Sequence, residues 1–228
     1  MYFDDEGLDL ETWQKQLLEG EAANPDSFFR KIQKLNLRNS VFVDNTASAE
    51  ISEMYHKFLS NSIAVVTCNK IACSSDYAYY QNLKQLSKKY KAPFLFETNV
   101  GAGLPIIDTL KNLIASGDKI KKIQAVLSGS LNFVFNTFDS STTFHDVVKR
   151  AQEEGYTEPD PTIDLSGIDV MRKILILARE SGHHLDIETI ENNGFLPKES
   201  LETDSNASFF ASLKKHEHHF QKLYKEKF

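Results

Sequence analysis

Apolar positions fall at helical spacing directly after Asn24-Pro25, where Phe28, Phe29, Ile32 and Leu35 form one stripe. An asparagine cap followed by proline at the first helical position predicts a helix that ends near Asn36. An acidic, partly helical stretch around Trp13 precedes it. The pattern then changes period. Three short β-rich runs at 40–44, 62–67 and 93–97 alternate with helical segments at 49–59 and 75–90. Strand, helix, strand, helix, strand predicts a parallel sheet with right-handed crossovers.

In open α/β sheets ligands sit beyond the carboxyl ends of the strands. Asn45-Thr46-Ala47-Ser48, Cys68-Asn69-Lys70 and Thr98-Asn99-Val100-Gly101 are therefore expected to face one crevice. Pro105 opens another helix with Ile106, Ile107, Leu110, Leu113 and Ile114 inward, closed near Gly117, and 119–127 reads as a strand. Further on, Thr143 with Asp146 starts a helix that Gly155 ends, and Ser166 with Asp169 starts one that runs to Gly182. Between them lies a short, polar segment marked by two prolines. A charged amphipathic helix is expected over 214–228.

With 228 residues and 41% hydrophobic content, the chain fills one large domain or two small ones. A net charge of −6 without a basic stripe argues against nucleic acid. The acidic start lacks a signal peptide's basic and apolar regions, and no apolar run reaches bilayer length, so a cytoplasmic chain without a membrane partner is expected. Cys68 and Cys73 are expected to be reduced thiols. Lys215-His216-Glu217-His218-His219 misses the HExxH zinc spacing because Phe220 stands where the second histidine should, and it reads as a surface helix.

The most informative stretch is Gly155-Tyr156-Thr157-Glu158-Pro159-Asp160-Pro161-Thr162-Ile163-Asp164-Leu165-Ser166-Gly167-Ile168-Asp169-Val170-Met171-Arg172-Lys173. Two X-Pro steps are expected to hold its four carboxylates on an extended loop running into a helix start, while Asp169 and Lys173, four apart, share a helix face. Any acidic loop is most often a solvated connector. This string, however, closely resembles the EPDPxxDLxGxDVxRK signature of homoserine dehydrogenases. Glu97-Thr98-Asn99-Val100-Gly101-Ala102-Gly103-Leu104-Pro105 resembles that family's monovalent-cation loop, and Leu127-Ser128-Gly129-Ser130-Leu131-Asn132 its substrate-binding SGTLN turn, with Ser130 in place of threonine. Matching motifs run from about Asp44 to Arg179, and the wording near Leu35 to Thr46 is most like the dehydrogenase half of fused aspartokinase/homoserine dehydrogenases.

The resemblance implies NAD(P)H-dependent interconversion of L-aspartate 4-semialdehyde and L-homoserine, in threonine, methionine and isoleucine biosynthesis. It implies catalytic roles for Lys173, Lys70 and Asp169, and substrate contacts from Glu158, Asp164, Tyr156, Gly129 and Ser130. Thr46, Ala47, Ser48, Asn69 and Lys70 would face NADP or NAD. Glu97 with the carbonyls of Val100, Ala102 and Leu104 would hold sodium or potassium. Hydride delivery to an aldehyde leaves an alkoxide that needs a proton, which an ammonium can supply. Taken singly, Lys173 is a helix-surface lysine paired with Asp169, and Lys70 a loop residue. Agreement of the whole string favours catalysis.

From Glu21 to Val100 there is no glycine, so no turn here can approach a pyrophosphate closely. Gly101-Ala102-Gly103 does not supply one, because the third glycine of a G-x-G-x-x-G falls at Ile106. The expected fold is thus α/β: an incomplete Rossmann-like parallel sheet over 1–100, lacking the GxGxxG unit, followed by an α+β catalytic and dimerisation domain over 101–228 that stops short of its closing strands. Such a piece is expected to bind the dinucleotide feebly and to turn over little by itself, and to be part of a homodimer. The competing readings are another NAD(P)-dependent semialdehyde dehydrogenase and a non-catalytic dimerisation or regulatory module.

Overall fold

The computed structural model describes residues 1–22 and 24–227. Its Cα positions divide into two units, Met1–Asn99 and Val100–Phe228; Phe228, the last residue of the expected tail helix, lies outside the described residues.

In the first unit the helices are α1 (Trp13–Leu18), α2 (Pro25–Leu35), α3 (Ala49–Glu53), α4 (Tyr55–Ser60), α5 (Ile71–Ser74) and α6 (Tyr77–Tyr90). The strands are β1 (Val41–Asp44), β2 (Ala64–Thr67) and β3 (Phe94–Leu95). They pair in the order β1-β2-β3, all parallel, with Phe42 beside Val65 and Val65 beside Phe94. This parallel sheet is the one the alternating pattern predicts, with β1 and β2 starting later than expected and β3 trimmed at both ends.

Alternation sorts the side chains onto two faces. The rings on one face build the core: Phe42 stacks on Phe58 of α4 at 4.0 Å, and Tyr55 meets Phe94 edge-on at 5.9 Å. On the other face Val43, Val66 and Leu95 lie side by side in register, and all three are exposed.

Local chemistry sets the helix limits. Asn24 accepts from Ser27 N at 2.8 Å and Ser27 Oγ accepts from Asn24 N, a reciprocal cap; left-handed Asn36 closes α2. The helix expected over 49–59 is broken at Met54, whose N–H bonds back three residues to Ile51. The helix expected from Ser75 begins at Tyr77, because the Asp76 carboxylate accepts from Ala78 N and Tyr79 N.

The helices of the second unit are α7 (Ile106–Ala115), α8 (Gly129–Thr137), α9 (Phe144–Glu153), α10 (Pro161–Leu165), α11 (Ile168–Glu180), α12 (Lys198–Leu201), α13 (Asn206–Lys215) and α14 (Glu217–Lys227). Its core joins Val134 of α8 and Phe138 just beyond that helix, Val147, Val148 and Ala151 of α9, Phe209 and Leu213 of α13 and Phe220 of α14. Thr143 caps α9 through Asp146 N at 3.1 Å, as the sequence predicts.

Three expectations are corrected here. Residues 119–127 are not a strand: a strand exists through its neighbours, and no described segment pairs with this one. The acidic segment is not extended throughout, since Asp160 accepts from Thr162 N at 3.0 Å and Pro161, at the first helical position, starts α10. Ser166 is not the cap of α11. It closes α10, and Gly167, with φ +80°, occupies the cap position.

Candidate active site

In the first unit the ends of the strands are tied together by a buried polar cluster. Asp44, at the end of β1, accepts from Thr46 N at 2.8 Å, from Asn69 Nδ2 at 3.1 Å and from the Tyr55 hydroxyl. Tyr55 OH also lies 2.7 Å from Thr67 Oγ1, and Asn69 Nδ2 donates to Ser48 O at 2.9 Å. The Asn99 carboxamide, with its NH2 toward the sheet, reaches the carbonyls of Cys68 and Thr67 at 3.1 and 3.2 Å. All three predicted loops are thus joined at one end of the sheet.

The cluster divides labour among the expected cofactor residues. Asn69 is buried and spends its side chain on these ties. Thr46 and Ala47 stay exposed, Ser48 is half-buried and caps α3 through Ile51 N, and Lys70 stands at the start of α5. Asp44 and Tyr55 carry the cluster, and nothing in the sequence pattern marks Tyr55 for this part. Tyr55 is fully buried, and this burial together with the adjacent Asp44 carboxylate holds its phenol protonated far above the ordinary range. Cys68 and Cys73 form no disulfide; the first is exposed and the second buried.

In the second unit Asp164 and Lys173, two of the expected site residues, reach one turn, residues 127–130, which contains Gly129 and Ser130. Ser128 caps α8 by accepting from Leu131 N, and its Oγ lies 2.9 Å from Ser130 Oγ. Ser130 Oγ donates to Asp164 Oδ1 at 2.9 Å. The other Asp164 oxygen accepts from Glu158 N at 2.8 Å. From α11, Lys173 Nζ donates to Leu127 O at 2.7 Å and pairs with Asp169 Oδ2 at 2.7 Å.

The turn is therefore held from both sides. A carboxylate on α10 reaches it through Ser130, and an ammonium on α11 reaches it through the Leu127 carbonyl. Gly167 is the joint between these two helices, and a Cβ built on it would meet Asn192 Oδ1 at 3.2 Å. Gly129 opens α8 at the surface, and the Glu158 side chain is exposed. Tyr156, itself exposed, stacks on Phe133 of α8 at 4.1 Å.

The remaining candidates are spread over both units. Glu97 is half-buried in a single helical turn over Glu97–Asn99 of the first unit. In the second unit Val100 is buried, Gly101 and Ala102 both have positive φ, and Leu104 N closes a turn on Gly101 O at 3.0 Å. Leu104 O already accepts from Ile106 N. Of the tail histidines, His216 lies at the break between α13 and α14, and His219 Nε2 contacts Phe195 O at 3.0 Å.

Two family models match this chain: homoserine dehydrogenase over residues 105–225, and the homoserine dehydrogenase NAD binding domain over residues 8–97. This chain belongs to the homoserine dehydrogenase family. A bifunctional aspartokinase/homoserine dehydrogenase of Haemophilus influenzae is 41% identical over 93% of the chain, which spans 26% of that protein. A homoserine dehydrogenase of Schizosaccharomyces pombe is 43% identical over 82% of the chain, which spans 51% of it. The chain thus corresponds to about half of the one relative and a quarter of the other.

Among solved structures, a Candida auris protein of unknown function covers 98% of the chain at a TM-score of 0.86 and 33% identity, and the chain covers 64% of it. A hyperthermophilic archaeal homoserine dehydrogenase in complex with NADPH covers 75% at a TM-score of 0.62 and 31% identity, with 53% of that protein covered in turn. No helix among the described residues is long and apolar enough to cross a membrane.

Proposed function

We propose that this chain supplies the substrate-binding and proton-transfer machinery of a homoserine dehydrogenase, interconverting L-aspartate 4-semialdehyde and L-homoserine with NADP or NAD, on the way to threonine, methionine and isoleucine. The observation that carries the reading is the convergence of Asp164 and Lys173 on the 127–130 turn. The dinucleotide, when bound, supplies the hydride. Thr46, Ala47, Ser48 and Lys70 would meet its nicotinamide end, on a platform that Asp44 and Asn69 keep rigid.

Lys173 is suited to give the alkoxide its proton. An ammonium has three N–H groups. Two are used on Asp169 and the Leu127 carbonyl, which aims the third and fixes the side chain without consuming it. Asp169 is then a positioning residue for Lys173. Glu158 and Asp164 would hold the substrate ammonium, each carboxylate oxygen of Asp164 keeping a lone pair beyond the bonds described. The backbone turn at Gly129-Ser130 would meet the substrate carboxylate, with the Tyr156 ring along one side.

The carbonyls of Val100, Ala102 and Leu104 suit a hard monovalent cation, sodium or potassium, and the assembly is proposed to be a homodimer. The decisive experiment titrates L-homoserine into the chain and follows backbone amide resonances. Shifts confined to residues 127–131, 156–164 and 173 are expected. Saturating homoserine without any response there would reject the reading.

A further inference from the structure

Two helices outside the signature hold its acidic segment from behind. Gln152 Nε2, on α9, donates to the Pro159 carbonyl at 2.8 Å. Asn206 Nδ2, on α13, donates to the same oxygen at 2.7 Å. An sp2 carbonyl has two lone pairs, and these two amides take one each. Proline has no N–H to offer and a fixed φ, so its carbonyl is the one hydrogen-bonding handle this residue presents.

The position of that handle matters. One residue before it, Glu158 N binds Asp164; one residue after it, the Asp160 side chain starts α10, which carries Asp164. Pro159 thus lies in the strap between the two carboxylates proposed to face the ammonium, directly after Glu158 and ahead of the helix that carries Asp164. The amides themselves are held by firm supports, since Ala151 of α9 and Phe209 and Leu213 of α13 lie in the unit's core.

Resting on the function proposed above, we infer that Gln152 and Asn206 are positioning residues that fix Glu158 relative to Asp164 and so set recognition of the substrate's ammonium group. Neither belongs to the signature. They act through the Pro159 carbonyl and touch no substrate atom.

The test measures affinity for L-homoserine and for 4-hydroxybutyrate, which keeps the carboxylate and hydroxyl of homoserine and lacks only its α-ammonium group. Asn206→Ala and Gln152→Ala are each expected to weaken homoserine binding about fivefold, the loss of one aligned hydrogen bond, with 4-hydroxybutyrate unchanged. Asn206→Gln, which keeps the donor, should recover part of the loss. Asn206→Asp, nearly isosteric but unable to donate, should behave like alanine and serves if the alanine variants misfold. Equal losses on both ligands, or none on either, would overturn the inference while leaving the function standing. If the unaltered chain binds 4-hydroxybutyrate as tightly as homoserine, ammonium recognition itself fails and the inference falls with it.

Discussion

Ser130 Oγ donates to Asp164 Oδ1 at 2.9 Å across 34 residues of sequence. This bond joins the start of α8 to α10, and the family's usual threonine at the position would keep the same hydroxyl. Ser130→Ala removes it and also takes the partner from Ser128. The expected cost is about 1 kcal/mol in urea unfolding, with weaker homoserine binding; Ser130→Thr should match the unaltered chain in both measurements.

Lys173→Met deletes the ammonium while keeping much of the stem's packing. In an assembly that turns over, kcat is expected to fall by about 10²-fold or more, the usual worth of a positioned proton donor, with cofactor affinity nearly intact. Steady-state kinetics with the cofactor varied checks both halves. A kcat within a factor of about two of the unaltered enzyme would remove Lys173 from proton transfer.

Tyr55 and Tyr79 both have phenols held protonated well above the ordinary value of 10.0, in each case mainly by burial. Because the folded chain keeps these protons and the unfolded chain releases them near pH 10, stability is full below about pH 10 and declines as the pH rises further. Spectrophotometric titration should therefore show two of the eight tyrosines ionising only as the chain unfolds. Tyr55→Phe should flatten the alkaline decline and lower neutral-pH stability by roughly 1–3 kcal/mol, since the buried Asp44 carboxylate loses a donor.

Gly101→Ala places a Cβ 2.5 Å from Ile106 Cγ1 at a residue whose φ is +85°. A loss of at least about 1 kcal/mol is expected from backbone strain alone, read as a lower melting temperature. If the carbonyls of this turn hold a cation, that loss should grow smaller as potassium or sodium is added.

What the sequence discloses about this fold is what is encoded locally. Asn24-Pro25, Thr143 with Asp146, and the alternating runs at β1 and β2 each carry their signal within a few residues, and each forms as expected. Residues 119–127 have the pattern of a strand, but a strand needs neighbours, and pattern alone cannot supply them. The start of α11 shifts by one residue because a left-handed glycine outweighs a serine followed by an acid.

The site divides in the same way. Glu158, Asp164, Asp169 and Lys173 are legible because they sit in one continuous string, and Ser130 because its own motif is short. Tyr55, Gln152 and Asn206 leave no such trace. Their importance lies in contacts made over 11, 7 and 47 residues, which only folding brings about.

Gly167 gives the arrangement a further property. Its backbone sits where an L side chain is strained, with Asn192 close overhead and bonded to Ser166 O. The carboxylate arm and the lysine arm consequently meet at a corner of fixed angle that no ordinary substitution can reproduce. Laboratory variation aimed at new substrates should leave this corner alone and work on the surfaces it presents.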